Sequence, residues 1–294
     1  MNLERYDMKV ISHKDPDLDP YRDEISEHVA TYESMGLSYC LFVEETSPLA
    51  VYFTGHEPVN LLLPMGTPMS MIQVLDYSVS AEVHAEVVSE ALRLGKKHGA
   101  KYVLSQDIPT EENSLLDVFK QKGFEVRRKW LRMKRSLKDI VEAQGVLKLE
   151  TVEREDLRGF LEWLGYCMTG SEGEQEDITL ANMLEVPDQL LDFWYTMQEL
   201  YNVYRDDDLI GALNLTPGSD TNLNNVGVAP EKRGKGYGRE ITAKALSRLR
   251  TLGKENVGLR VYAGNEPAIG LYGSLGFKTE TETADLIMWQ NGPS

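Results

Sequence analysis

The sequence predicts an α/β (α+β) protein built from two similar halves. Strand-like and helix-like segments alternate through both halves, the last helix of each half is followed by Gly-Phe, and a glycine-spaced basic loop opens one helix of the second half. The chain of 294 residues also has room for two domains of about 150 residues each. We therefore expect domains at residues 1–138 and 147–294, joined by residues 139–146 as a linker or a short helix.

The first half is predicted to run through three strands, a helix, a strand and a second helix. These segments are residues 37–45, 49–56, 71–79, 81–98, 101–105 and 113–122. The first helix is amphipathic, because Val83, Val87 and Ala91 recur on one face at helical spacing. The segment Ser78–Glu82, which leads into this helix, contains no glycine and no basic residue.

The second half repeats this order. Residues 199–205 and 209–215 form a predicted hairpin, whose link of three aspartates, residues 206–208, suits a tight turn. A strand at 222–228, a helix at 239–250, a strand at 258–263 and a helix opening at Asn265 follow. Ile241, Ala245 and Leu249 share one face of the helix at 239–250, so this helix should pack on the sheet.

Composition and charge exclude several classes of function. The net charge of −16 argues against a nucleic-acid binder, because phosphate backbones would be repelled. No apolar run of about 18 residues predicts a membrane span, and the start of the chain lacks a signal-peptide pattern. Cys40 and Cys167 are too few for a disulfide framework or a cysteine zinc site. We expect a cytoplasmic protein without a metal, and the oligomeric state stays open.

A basic stretch at residues 120–138 stands out from this acidic background. It is either an anion-binding patch or a strand whose charges pair with acidic neighbours, and the second is the commoner arrangement.

The loop after Pro230 predicts a phosphate-binding site. Gly234, Gly236 and Gly238 alternate there, and glycine allows the backbone to turn tightly and approach a bulky ligand. The loop ends at a helix N-terminus, where unpaired N–H groups and the positive end of the helix dipole favour phosphate. Positive charge is added by Lys232, Arg233 and Lys235. The loop is therefore predicted to hold a pyrophosphate.

The spacing of this loop fits neither a P-loop nor the G-x-G-x-x-G dinucleotide fingerprint. The pattern Arg-x-x-Gly-x-Gly from Arg233 to Gly238, preceded by Val226-Gly-Val-Ala-Pro230, resembles the GNAT superfamily of acyl-CoA-dependent N-acetyltransferases. The likeness continues about thirty residues downstream, in an Asn…Ala…Tyr…Gly-Phe ending that runs from Asn265 to Phe277.

The resemblance implies two GNAT-like domains, each a mixed, mostly antiparallel sheet flanked by helices and splayed where CoA enters. Residues 1–138 would be a degenerate copy without a CoA loop, with Phe119 where the second copy has Tyr272. Residues 147–294 would be the catalytic domain.

The resemblance also implies the roles of individual residues, with acetyl-CoA as co-substrate. The implied cofactor-binding residues are Val226, Gly227, Val228, Lys232, Arg233, Gly234, Lys235, Gly236, Tyr237, Gly238 and Asn265. The pantetheine arm would lie along Val226–Val228 like an added strand, with peptide N–H groups polarising the thioester carbonyl. Asn265 either binds the pantetheine or simply caps its helix.

Tyr272 is the implied general acid for the departing thiolate, although its spacing with Ala268 and Leu275 also fits a core position. No general base is identified. The strand at 222–228 offers three asparagines, 222, 224 and 225, which cannot act as bases. They could hold a water that relays a proton to Asp220, Glu174 or Glu282, among which the sequence does not choose.

The implied reaction moves an acetyl group to a primary amine of a small molecule or peptide by direct attack on the thioester. All five histidines lie in the first half, so the second half has no Ser–His or Cys–His pair of its own. The acidic stretch 172–177 would suit a cationic acceptor or is a solvated loop, and residues 193–195 line the acceptor groove or the core.

Two other functions stay open at this point. The first is a non-catalytic acyl-CoA-binding regulatory or scaffold protein, which the missing strand carboxylate favours. The second is an aminoacyl-tRNA-dependent transferase, against which the negative charge argues.

Overall fold

The computed structural model of the chain describes residues 8–57, 63, 66–140, 143, 145–169 and 186–290. The described residues fall into two compact units. Unit 1 comprises those within 1–58, 63–129 and 283–294, and unit 2 comprises those within 130–282. Each unit contains a mixed sheet with helices on its faces, so the predicted fold class is confirmed.

Unit 1 contains three helices and a six-stranded sheet. The helices are α1 (Arg22–Ser34), α2 (Ala81–Lys97) and α3 (Asn113–Gln121). The strands are β1 (Met8–Ser12), β2 (Ser38–Glu44), β3 (Ser47–His56), β4 (Pro68–Val74), β5 (Tyr102–Pro109) and the end of β12 (Lys278–Trp289). Their order is β1-β2-β3-β4-β5-β12, antiparallel except for the β4–β5 pair. Apolar side chains of α2 and α3 pack on one face of this sheet.

Unit 2 repeats this topology. Its helices are α4 (Leu157–Met168), α5 (Asp188–Thr196), α6 (Tyr237–Thr251) and α7 (Glu266–Ser274). Its strands are the second part of β6 (Glu125–Ser136), β7 (Leu147–Thr151), β8 (Glu199–Arg205), β9 (Asp208–Thr216), β10 (Asn222–Val228) and β11 (Asn256–Tyr262). The order is β7-β8-β9-β10-β11-β6, antiparallel except for the β10–β11 pair.

The two faces of the unit 2 sheet carry different helices. Leu213 and Leu215 of β9 are buried in one cluster with Ile241 of α6. Ala212, which alternates with them along the strand, is buried on the other face with Leu161 of α4 and with α5. The helix α6 therefore covers one face, and α4 and α5 cover the other.

The compact units differ from the two halves of the sequence at two strands. Residues 130–136 of β6 pair with β11 in unit 2, from Trp130 opposite Tyr262 to Ser136 opposite Asn256. Residues 283–289 of β12 pair with β5 in unit 1. Hydrophobic patterning identifies these segments as strands but does not specify their partners. The division into functional domains at 1–138 and 147–294 stays a prediction.

The basic stretch forms part of β6, as one of its two interpretations predicted. Lys134 lies 3.9 Å from Glu280, and the guanidinium of Arg260 lies 4.1 Å from the centre of the Trp130 ring. These contacts favour a strand whose charges have local partners.

Candidate functional site

The two parallel strands of unit 2 separate along most of their length. In the described structure β10 and β11 are in register at Asn222 and Gly258, whereas β4 and β5 of unit 1 are in register at three successive pairs. The edge of β10 beyond Asn222 therefore faces an opening towards Val228 rather than a neighbouring strand. This is the splay that the sequence led us to expect.

Backbone donors of β10 point into this opening. The N–H of Ala229 donates to the carbonyl of Ile210 at 3.0 Å, on the β9 side. Because N–H groups alternate in direction along a strand, those of Val226 and Val228 point away from β9. An extended ligand in the opening can hydrogen-bond there as an added strand would.

The glycine loop presents a second set of backbone donors. Gly234 and Gly236 have φ of +76° and +83°, the left-handed region that favours glycine, and no atom lies within 4 Å of a Cβ built on either. Gly236 caps α6 without a side-chain hydrogen bond. Among the described residues, none accepts a hydrogen bond from the backbone N–H groups of residues 234–239. These donors, which we call the cradle, lie at the positive end of α6, a position that favours anions in proteins generally.

Two of the three basic side chains in the loop hold the loop itself. The ammonium of Lys232 pairs with the carboxylate of Asp208, which raises the pKa of Lys232. The guanidinium of Arg233 donates to the carbonyls of Val228 at 3.1 Å, Cys167 at 2.9 Å and Thr169 at 2.6 Å. The sequence had suggested that both assist the phosphate. Lys235 is exposed and has no partner within the described part of the chain.

Tyr272 lies on α7, half-buried among apolar side chains that also pack against α6. Its ring makes an edge-on contact with Phe277, with centroids 5.7 Å apart. Burial raises the pKa of Tyr272 to about 12, so the hydroxyl carries its proton throughout the physiological range. In the described structure this hydroxyl has no hydrogen-bond partner. The environment keeps the hydroxyl protonated, and the core position suggested by its spacing is observed.

Comparison with known proteins agrees with this geometry. Residues 159–277 match the model of the acetyltransferase (GNAT) family. This part of the chain belongs to the GNAT family. A mycothiol acetyltransferase of Kocuria rhizophila is 29% identical over 177 residues, which cover 59% of this chain and 50% of that protein. The chain spans half or less of the length of the curated relatives that it matches first.

Two solved structures share the fold over nearly the whole chain. A GCN5-related N-acetyltransferase from Sphaerobacter thermophilus has a TM-score of 0.65 at 14% identity and covers 96% of both chains. A tandem GNAT protein from the clavulanic acid biosynthesis pathway has a TM-score of 0.64 at 13% identity, with 98% of this chain and 99% of that chain covered. The tandem GNAT-like fold is therefore shown.

Two of the remaining residues predicted from the GNAT pattern, Tyr237 and Gly227, make close contacts within the fold, whereas Gly238 does not. Tyr237 is buried, and its hydroxyl accepts from Arg205 at 2.8 Å, so only its backbone faces the cradle. A Cβ on Gly227 would lie 2.7 Å from the Cβ of Cys167, so this glycine allows α4 to approach β10. A Cβ on Gly238 would make only ordinary contacts, the nearest at 3.5 Å.

Asn265 caps the helix that carries Tyr272. Its Oδ1 accepts from the N–H of Ala268 at 3.1 Å, at the start of α7. Of the two roles that the sequence left open for Asn265, the cap is the one observed.

The structure leaves the general base of the GNAT unit unassigned. Glu174, with the rest of the acidic stretch 172–177, lies outside the described residues. The carboxylate of Asp220 accepts from Asn222 Nδ2 at 3.0 Å. Desolvation raises the pKa of the buried Cys167 thiol to about 12, which keeps it from acting as a nucleophile.

The described residues also bear on the expectations for metal binding and for a membrane span. No group of three or more histidine, cysteine or carboxylate side chains comes together there to hold a metal. No helix of these residues is long and apolar enough to cross a membrane.

Of residues 193–195, Phe193 is exposed, whereas Trp194 and Tyr195 pack against the core between α4, α5 and the sheet.

A β-bulge in β10 joins Asn224 and Asn225 to polar residues that the sequence analysis did not single out, namely Gln198, Asn214 and Thr216. The register with β9 shifts between Leu223 and Asn225, so Asn224 is the extra residue. Hydrogen bonds link the side chains of Gln198, Asn214, Thr216, Asn224 and Asn225, which we call the asparagine cluster. The alternation of Asn214 and Thr216 with leucines along β9 was the available signal.

Proposed function

We propose that the protein is an acetyl-CoA-dependent N-acetyltransferase that acetylates a primary amine of a small molecule or peptide. The observation that carries the proposal is the pair of unpaired donor sets in unit 2. The N–H groups of residues 234–239 suit the pyrophosphate, and those of Val226 and Val228 suit the pantetheine arm and the thioester carbonyl. The family and the fold support this assignment.

In the proposed reaction the amine nitrogen attacks the thioester carbon while the carbonyl oxygen accepts from the β10 edge. The C–N bond forms, the C–S bond breaks, and the thiolate takes a proton from Tyr272. A raised pKa of about 12 keeps this phenol protonated until that step. The amine loses its own proton to a base that we do not assign. Lys235 is the loop side chain that remains to assist the phosphates.

The acceptor is proposed only as a class. The curated relatives are named mycothiol acetyltransferases, so the acceptor of those enzymes belongs in the first amine panel. We also propose a cytoplasmic location and no nucleic-acid partner, consistent with two free cysteines and a net charge of −16.

The test is calorimetric titration with acetyl-CoA of the full chain and of two glycine variants. Gly236→Ala and Gly253→Ala form a matched pair, because both glycines have left-handed φ, +83° and +77°, and open space at the Cβ. They lie at opposite ends of α6, and the strain of about 1–2 kcal/mol should be similar in both. We expect one site per chain, binding weakened about tenfold or more by Gly236→Ala, and normal binding in Gly253→Ala.

Two sites per chain would contradict a degenerate first copy. Equal weakening in both glycine variants would show that the cradle is not the binding site. Absence of amine-dependent CoA release across the panel, in a protein that binds acetyl-CoA, would contradict the enzymatic part of the proposal.

A further inference from the structure

The bulge in β10 places neighbouring asparagines on the same face of the sheet. Asn222 is opposite Thr216 and Asn225 is opposite Asn214, and directly opposed residues share a face. In a regular strand Asn225 would point to the face opposite that of Asn222 and Asn224. The bulge instead puts Asn225 opposite Asn214, on the face where Asn224 Nδ2 donates to Thr216 at 2.6 Å. The bulge therefore concentrates amide groups where a regular strand would alternate them.

Hydrogen bonds inside the asparagine cluster leave defined groups unused. Asn224 Nδ2 donates to Gln198 Oε1 at 2.9 Å, and Thr216 Oγ1 donates to the same oxygen at 3.0 Å. Asn214, 3% exposed, bridges its neighbours: its Oδ1 accepts from Asn224 and its Nδ2 donates to Asn225 Oδ1, each at 3.4 Å. In the described residues Asn224 Oδ1, Gln198 Nε2 and Asn225 Nδ2 have no partner. The cluster thus offers one acceptor and two donors, and no charge.

These unused groups lie beside the opening along β10. The cluster is on the face that carries α4 and α5, because Asn214 shares the face of Ala212. Asn225 directly precedes Val226, whose N–H points into the opening. Asn224 is exposed, so a ligand can reach it. An amine positioned to attack a carbonyl held at Val226 would have its other substituents over the cluster.

We propose that the asparagine cluster binds the acceptor and selects a primary amine flanked by hydroxyl or amide groups over a polycation. This rests on the acetyltransferase function proposed above. Hydroxyl and amide groups both donate and accept, which matches the unused groups, whereas a polycation needs carboxylates. Among the described residues, the carboxylate of Asp220 lies next to Asn222 of β10 and already accepts from its Nδ2. A site built to hydrogen-bond a hydroxyl also discriminates strongly against an analogue that lacks it.

The test compares three acceptors with the full chain: glucosamine, whose amine is flanked by hydroxyls, cyclohexylamine, which has a similar ring without them, and spermidine, a polycation. Rates are expressed per concentration of unprotonated amine, which removes differences in amine pKa. We expect kcat/KM for glucosamine to exceed those of the other two by about tenfold or more. Comparable values for all three would overturn the selectivity while leaving the acetyltransferase function intact.

The residue-level test is Asn224→Ala, with Asn256→Ala at the exposed start of β11 as the control. We expect Asn224→Ala to raise the KM for glucosamine about tenfold and to leave the affinity for acetyl-CoA unchanged. Asn256→Ala should change neither. Asn224→Asp, which adds a charge, should shift preference towards spermidine. An unchanged glucosamine KM in Asn224→Ala would overturn the proposal.

A binding measurement keeps the inference testable without turnover. Saturation-transfer NMR with glucosamine and CoA-saturated protein should show transfer in the wild type and in Asn256→Ala, and a loss in Asn224→Ala. Transfer without turnover would support the acceptor site and contradict the proposed enzymatic function. No transfer in the wild type would overturn the acceptor site.

Discussion

The same helix N-terminus is built in opposite ways in the two units. Before α2 of unit 1, Asp76 Oδ1 accepts from the N–H and the hydroxyl of Ser78 at 2.7 and 2.6 Å, and Ser80 Oγ accepts from the N–H of Val83 at 3.4 Å. Before α6 of unit 2, a left-handed Gly236 caps the helix without any side-chain acceptor. In unit 1, side chains beside the start of the helix accept backbone hydrogen bonds, whereas in unit 2 none of the described residues does so.

The central strands show the same difference. β4 pairs with β3 without a register shift from Ala50 opposite Val74 to His56 opposite Pro68. β10 carries a bulge at Asn224 and separates from β11 after Asn222. A regular ladder satisfies its backbone groups, while the irregular strand exposes some of them. The binding site proposed for unit 2 therefore lies where backbone donors are left unsatisfied, at a cost of about 1 kcal/mol for each missing cap.

The largest effect is expected when unit 2 is produced alone without one strand of its sheet. The fragment 140–282 lacks Trp130–Ser136, the antiparallel partner of β11. An unpaired edge beside a buried core promotes aggregation, so we expect this fragment to be insoluble or unfolded. The fragment 130–282 keeps that strand and serves as the control. Circular dichroism and thermal melts measure the difference.

Equal melting temperatures for the two fragments would show that β6 is dispensable to unit 2. A soluble, cooperatively folded 140–282 fragment would also contradict the importance that we give to the strand partner.

The second prediction uses the aromatic residue that differs between the copies. Phe119 contacts Phe124 edge-on with centroids 4.9 Å apart, as Tyr272 contacts Phe277, but Phe119 is completely buried. If Tyr272 is the general acid, Tyr272→Phe should lower kcat by about a hundredfold or more with little change in acetyl-CoA affinity. Steady-state kinetics and calorimetry measure the two quantities.

The reverse change, Phe119→Tyr, is the matched control. It buries an unpaired hydroxyl and should lower the stability by about 1–3 kcal/mol without altering kcat. An unchanged kcat in Tyr272→Phe would remove this tyrosine from the mechanism and leave it as a core residue.

The sequence predicted the parts of the site that depend on local chemistry. Alternating glycines before an amphipathic helix identified the cradle, because left-handed φ at Gly234 and Gly236 is a property of the residues themselves. Asp206 also adopts a left-handed φ of +53° in the predicted hairpin turn. The repeat was visible because strand and helix periods are local.

Features that depend on contacts between distant segments could not be predicted from the sequence. The partners of β6 and β12 are set by pairing between distant segments. The guanidinium of Arg233 reaches the end of α4, 66 residues away at Cys167, a contact that its formal charge alone does not predict. The asparagine cluster joins Gln198 to Asn224 through a bulge that no strand period predicts.

The smallest effects are expected at the N-terminal cap of α2 in unit 1. Ser80→Ala removes the cap of α2 and should cost about 1 kcal/mol, which lowers the melting temperature of the unit by a few degrees. Asp76→Asn removes a carboxyl group whose ionisation makes the stability of the wild type depend on pH. Hydrogen bonds from the hydroxyl and N–H of Ser78 lower the pKa of Asp76 below its ordinary value.

Because the folded pKa is the lower one, Asp76 stabilises the fold above its unfolded pKa of about 3.9, and this contribution is lost as pH falls through the folded pKa. Asp76→Asn should therefore destabilise the protein at pH 7, and its difference from the wild type should shrink as the pH falls below about 3.9. Melting temperatures across this pH range measure the change. A difference in melting temperature that does not change with pH would mean that Asp76 acts through its shape and not through its charge. The carboxylate of Asp76 would then contribute to the start of α2 in unit 1 by packing alone.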